Sequence, residues 1–429
     1  MITRHTLTKT GVATALGLAA PFAVAAPQAI AQPVAQPGFT VTQLAGAPSG
    51  GAVGPDDIAQ VDGNVFVGYQ NRVGTKGEPS TTGQTSSTVV EYSQSGSEIQ
   101  RWNLTGKVDG LGGDPKTHQL IATVDEDGNT SLYTIRPRNN QVQHFTYSPE
   151  PDANTSGGVY TGGGTDAVTV QDGRILISAS NPSAANGTAA FVAQLDRRTG
   201  VAHLSPTFAD NATATDAVSG DSVTLGLTDP DSNATVPESS PRFGGQLALV
   251  SQADQEIIFA RGLSWGGHGW GGDTAGGPQL TRLNLMHGGT TAGIDDVRWA
   301  AGNGGTLYVV DNQSNAVYAI TGPFQAGQAF AGLDTVGPAA NPTTNTTEVD
   351  TLDLSTGNLT PFATGFLAAK GLLWMPTGQQ GGGDGDGGKG DHHDGSGDGQ
   401  GGNGRSGKGD GQTGNSTGQY GNVRHGRRH

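Results

Sequence analysis

Three short acidic runs carry the strongest hint of chemistry in this chain: Asp56-Asp57-Ile58, Asp166-Ala167-Val168 and Asp295-Asp296-Val297. Each stands at the entry to an apolar run that reads as a strand. Asp216-Ala217-Val218 is a looser fourth. Carboxylates gathered at equivalent strand entries repel one another unless they are protonated or bridged by a cation. Hard oxygen donors of this kind suit Ca²⁺ or Mg²⁺. Asp56, Asp57, Asp166, Asp295 and Asp296 are therefore the candidate metal ligands, with Ca²⁺ as the candidate ion. The competing reading makes each aspartate a cap for the turn into its strand. A second candidate is the insertion Gly262 to Leu280, where Trp265, His268 and Trp270 sit in glycine-rich chain, with His287 just beyond. Two indoles and an imidazole form a site for stacking on a sugar or another flat ligand, or a cover for apolar surface.

No catalytic residue can be named. His118, His144 and His203 are scattered through turns and strands, and no G-x-S-x-G elbow, H-E-x-x-H, Walker A or dinucleotide fingerprint occurs in suitable context. The absence of cysteine excludes a thiol nucleophile, a disulfide framework and thiolate-bound zinc.

The elements that must position these groups are strands. No segment holds a 3.6-residue apolar period with caps, so the chain reads as all-β. Gly293 to Phe324 reads as strand, glycine turn, strand, polar turn, strand, and Gly54 to Tyr69 echoes it. Aspartate-glycine and serine-glycine pairs between alternating runs are hairpin signals. Such modules recur about every 40 to 55 residues with three or four strands each, which predicts a β-propeller of six blades of four-stranded antiparallel sheets. Seven blades, or a pair of β-sandwiches, are the other architectures. Ring closure is expected from Phe39 to Leu44 pairing with the Val349 to Ala363 strands, so that both termini share one blade and no edge is left open.

The chain has 429 residues, 72 of them glycine, and a net charge of −15. That charge argues against a nucleic-acid partner, because phosphate binding needs a basic surface. Residues 1–31 read as a secretory signal peptide: Arg4 and Lys9, then a short apolar stretch, then Ala29-Ile30-Ala31 before Gln32. The organisation expected is a linker over 32–37, a propeller over 38–376 and a disordered Gly/Asp/His-rich tail over 377–429. Asp391-His392-His393-Asp394 in the tail is a weak site for Zn²⁺, Ni²⁺ or Cu²⁺. The reading is of a secreted bacterial monomer with no membrane insertion in its mature form. It is expected to bind a small molecule, a glycan or a protein at the cell exterior, with a metal-dependent hydrolase of a small cyclic ester, or a lyase, as the alternatives.

Pro55-Asp56-Asp57-Ile58-Ala59, then Asp62-Gly63-Asn64-Val65-Phe66-Val67, then Val89-Val90-Glu91-Tyr92-Ser93 resembles an NHL-type blade, and Gly293 to Ile320 is similar. The set also resembles the six-bladed calcium-dependent propellers that include gluconolactonase and senescence-marker-protein-like lactonases. That resemblance implies a metal in the central channel and hydrolysis of a small cyclic ester. In those lactonases the strand entries carry E-G-P and P-N-G; here the first entry is Gly54-Pro55-Asp56-Asp57 and no P-N-G occurs. Only Asp56, Asp57, Asp295 and Asp296 match by position. The NHL resemblance implies no catalytic residue.

Overall fold

The structure is a computed structural model, and it describes residues 32–377 except 152–154, 157–158, 161–162, 183–186, 264–276 and 339–343. These residues form six four-stranded antiparallel sheets. Blade 1 runs outward through Pro55–Val61, Asn64–Tyr69, Ser86–Tyr92 and Glu98–Thr105. Blade 2 follows with Val108–Asp114, Gln119–Val124, Ser131–Arg136 and Gln141–Ser148, and blade 3 with Thr165–Gln171, Arg174–Ala179, Thr188–Asp196 and Val201–Ala209. The outer strands of blades 2 and 3 also pair in parallel, Thr146 opposite Val201. Blade 4 is Pro230–Thr235, Leu247–Ser251, Glu256–Arg261 and Gln279–Asn284, widened by Thr213–Asp216 and Ser222–Thr224. The first strand of each blade packs against the first strand of the next, and that of blade 6 returns to that of blade 1. The fold is therefore a closed β-propeller.

Why the sheets stack follows from the two-residue period of a strand, which sends alternate side chains to opposite faces. Every blade is apolar on both faces, and the described residues hold one buried cluster per blade interface. Between blades 1 and 2, for example, Phe66, Val89 and Leu104 meet Leu111, Leu120 and Ile135, all 2% exposed or less.

Blades 5 and 6 depart from the expected module order. Blade 5 consists of Thr290–Trp299, Ala329–Val336, Thr344–Leu352 and Asn358–Thr364; blade 6 of Ala369–Met375, Thr306–Asp311, Ala316–Thr321 and Thr40–Ala45. The hairpin Thr306–Thr321 thus leaves blade 5 after its first strand, builds the middle of blade 6, and lets the chain return. Gly293 to Phe324, expected to be a single module, spans two sheets. Its first strand pairs with Ala329–Val336 rather than with the strand after the glycine turn. A run of alternating strands fixes that strands form but not which neighbour each one takes.

Both termini do share a blade, with a different partner from the one expected. Thr40–Ala45 pairs with Ala316–Thr321 (Thr40 opposite Thr321), not with the strands of 349–363. Those strands receive Val34–Ala35 instead, a short strand inside the expected linker, with Val34 opposite Thr364. Phe39 lies between the two pairings and fixes them, its ring 4.9 Å from Phe324 and 4.8 Å from Phe362. Around residues 222–227 only Ser222–Thr224 forms a strand, on the appended edge of blade 4; the inner strand there is Pro230–Thr235. Proline is tolerated as the first residue of a strand, and it hides the strand behind a turn signal.

Candidate functional site

Each inner strand carries a β-bulge near its start, one extra residue set against its neighbour. The shifts fall between Pro55 and Ile58, Val108 and Leu111, Thr165 and Val168, Pro230 and Ser232, Ile294 and Asp296, and Ala369 and Leu372. A bulge leaves a residue unpaired and re-aims its side chain. Here it supplies one channel residue per blade: Asp56, Asp109, Asp166, Asp231, Asp295 and Lys370. The five aspartates all line one cavity together with Asp57, Asp296, Ser232, Asn233, Arg298 and Gly371.

Close approach of the strands dictates the next residue. A Cβ on Gly110 would lie 2.7 Å from Asp166 O, and one on Gly371 would lie 2.7 Å from Asp56 O and 2.9 Å from Asp57 Cα. Asp57 and Asp296 occupy this following position, line the same cavity and are held by hydrogen bonds. Asp57 accepts from the Ile58 and Leu111 N–H groups at 2.7 and 2.6 Å. Asp296 accepts from the Val297 and Leu372 N–H groups, both at 2.7 Å, from Ser232 Oγ at 2.5 Å and from Arg298 Nη1 at 2.7 Å. Leu111 and Leu372 belong to the following blade in each case, so both carboxylates clasp adjacent blades.

The charge of the ring is partly balanced. Lys370 Nζ pairs with Asp295, and Lys107 Nζ pairs with Glu126 and, at 2.7 Å, with Asp109. Burial, then Asp295, pushes the Asp56 carboxyl up to about 6. Burial raises Asp166 and Asp231 well above the usual carboxylate range, with Asp231 and Asp295 respectively as the next cause. Burial and Glu126 do the same to Asp109. Burial alone would lower Lys370, but Asp295, Asp56 and Asp231 outweigh it and hold the amine above its ordinary value. Two oxygens in the ring are buried without a hydrogen bond, Asp109 Oδ2 and Asn233 Oδ1. Water-sized molecules have about 30 Å³ of the cavity open to them. That is room for an ion with a water or two, against the several hundred Å³ typical of sites for organic ligands.

The other anticipated residues divide. Asp56, Asp57, Asp166, Asp295 and Asp296 all line the channel cavity, and Asp57 and Asp296 also accept hydrogen bonds from the following blade. Asp216 is not a channel residue: it lies on the strand appended to blade 4, where Arg282 Nη2 donates to it at 2.8 Å. Trp265, His268 and Trp270 fall outside the described residues. His287 is brought to Glu348 and Asp350 of blade 5, away from the channel. Sequence reasoning passed over Asp109, Asp231 and Lys370. Aligning the six entries finds them, since Val108-Asp109-Gly110, Pro230-Asp231-Ser232 and Ala369-Lys370-Gly371 repeat the pattern of Pro55-Asp56-Asp57.

Among the described residues no helix is long and apolar enough to cross a membrane. No family model and no curated protein matches the chain. Solved structures do resemble it. A periplasmic gluconolactonase of Pseudomonas aeruginosa is 11% identical, with 75% of this chain and 88% of that one covered and a TM-score of 0.40. A protein of unknown function from Bacteroides caccae is 11% identical over 75% of this chain and 86% of that one, with a TM-score of 0.41. A chain from a nidogen/laminin complex is 10% identical over 75% and 84%, with a TM-score of 0.38.

Proposed function

We propose that this protein is an extracellular binding module whose channel mouth takes up a hydrated divalent cation, Ca²⁺ or Mg²⁺. The observation that carries this reading is the ring itself: five aspartates delivered by five repeated bulges, with Asp109 Oδ2 and Asn233 Oδ1 buried and unpartnered among them. Among the described residues no three channel carboxylates offer oxygens within 4.8 Å of one another. A cation there takes one or two carboxylates directly and keeps waters for the rest of its shell, a mode that hard ions accept. The outer partner is a glycan, a small molecule or a protein, and the Trp265, His268 and Trp270 insertion is the stretch whose residue types suit the contact. The signal-like first 31 residues and the negative charge accord with secretion.

The test is thermal unfolding with Ca²⁺, Mg²⁺ or EDTA. An ion present at 100 times its dissociation constant stabilises by about 2.7 kcal/mol. Unfolding roughly 340 residues at ~2.1 cal/mol/K each turns this into a rise of ~4 °C in Tm. The rise should vanish in Asp109→Asn/Asp231→Asn. Equal melting of the wild type in Ca²⁺, Mg²⁺ and EDTA would sink the proposal.

A metal-dependent lactonase is the second reading. In its favour, burial pushes Asp56 up to about 6, which suits a carboxylate that accepts a proton as a general base. The small open volume of the channel weighs against a cyclic ester there. Turnover in a panel of lactones, lost in the same double variant, would decide for the enzyme.

A further inference from the structure

We infer that His287, Glu348 and Asp350 form a second metal site on blade 5, suited to an ion of the Zn²⁺ kind and separate from the channel. His287 Nε2 lies 3.1 Å from Glu348 Oε1 and 3.6 Å from Asp350 Oδ2, and the three donor atoms all fall within 4.8 Å of one another. Among the described residues this is the one group of three histidine or carboxylate donors so spaced. With metal–ligand bonds of ~2.1 Å, the separations of 3.1 and 3.6 Å subtend about 95° and about 118°, within about 10° of the octahedral and tetrahedral angles respectively.

The local fold explains the convergence. Glu348 and Asp350 are two apart on Thr344–Leu352 and so project from the same face of the sheet. His287 belongs to the two-residue strand Met286–His287, which pairs with both the first and the last strand of blade 5 and so bridges its width. Asp350 supplies the independent sign of a ligand. It has no solvent exposure, and neither of its carboxylate oxygens has a hydrogen-bond donor. A buried carboxylate without donors is costly, and a coordinated metal removes that cost. Imidazole with two carboxylates is a borderline donor set, which favours Zn²⁺ over Ca²⁺. The partial exposure of His287 and Glu348, 21% and 16% of their side chains, leaves an entry path and open positions for water.

A rival account has a protonated His287 holding the two acids as a plain ion pair. The two accounts separate by titrating ZnCl₂ into full-length protein carrying His392→Ala/His393→Ala, so that the tail does not compete. Calorimetry should show one equivalent bound, weakened at least ~30-fold by His287→Gln and by Asp350→Asn. Binding should be unchanged by Asp109→Asn/Asp231→Asn, which separates this site from the channel. Co²⁺ in place of Zn²⁺ should give visible absorption that the same two variants abolish. Asp350→Asn keeps the side chain's shape and removes a buried charge, so it should fold as well as the parent in metal-free buffer. Zn²⁺ affinity untouched by both His287→Gln and Asp350→Asn would overturn the site. So would a failure to bind Zn²⁺ combined with destabilisation of metal-free His287→Gln, which is the ion-pair result.

Discussion

Lys370→Met tests the electrostatics of the channel most directly. Methionine keeps the unbranched stem and removes the charge that pairs with Asp295 and faces Asp56, Asp231 and Asp334. Removing one partner of a buried ion pair costs about 3–5 kcal/mol. The Lys370 side chain retains 26% exposure, which argues for the lower end, about 3 kcal/mol. For roughly 340 residues unfolding with ~2.1 cal/mol/K each, that is a fall of ~4 °C in Tm at pH 7.5. The pH dependence carries the discrimination. Asp56 already sits at about 6 with the lysine present, and it rises further without it. Between pH 7.5 and pH 5 the folded variant therefore takes up protons that the unfolded chain, with carboxyls near 3.8, does not. Stability rises with acidification wherever the folded state binds more protons. The deficit of Lys370→Met should shrink to under ~1 kcal/mol at pH 5, and a divalent cation at pH 7.5 should shrink it likewise. Calorimetric melting at both pH values reads this out. An equal deficit at the two would show that the loss comes from packing and that the ring is not an electrostatic unit.

Two further outcomes follow from the backbone. Gly371→Ala should cost about 1–3 kcal/mol by overpacking, because its Cβ would meet Asp56 O at 2.7 Å, whereas Gly226→Ala, with nothing within 4 Å, should change stability by under ~1 kcal/mol; indistinguishable denaturation midpoints would contradict the close approach of blades 6 and 1. A chain starting at Gly46, compared with one starting at Gln32, should lose the outer strand of blade 6 and associate through the bared Ala316–Thr321 edge, detected by light scattering after gel filtration. A monodisperse monomer of unchanged stability would rule out the strand as a latch.

The channel was half legible in the sequence. Doubled aspartates at 56–57 and 295–296 drew attention because they stand out locally; both members line the cavity, and the second also bonds backbone N–H groups of the next blade. The single aspartates of the ring are unremarkable alone: Asp109 hides in Val-Asp-Gly, which reads as a turn, and Asp231 behind a proline. What makes them equivalent is a bulge, and a bulge is a property of pairing rather than of residue type. Lys370 was invisible for a different reason, since a cation has no place in a search for metal ligands. The all-β propeller class was readable from strand spacing. The partners of the last strands were not, because alternation fixes which face is buried and leaves the neighbour open. His287 was noticed for its nearness to the tryptophans, but Glu348 and Asp350 lie some sixty residues on and meet it only through the pairing of Met286–His287 with both edges of blade 5.

The exchange of strands between the last two blades sets an order on assembly. A chain emerging from synthesis can complete blades 1 to 4 from contiguous segments, and domains form as units in that order. Blade 5 waits for Asn358–Thr364, and blade 6 for Ala369–Met375, which arrives last and joins segments from both ends of the chain. Pairings of such long sequence separation are slow to form. Lys370 lies on that final strand. Docking of that strand therefore closes the circle and brings the amine that pairs with Asp295 in the same step.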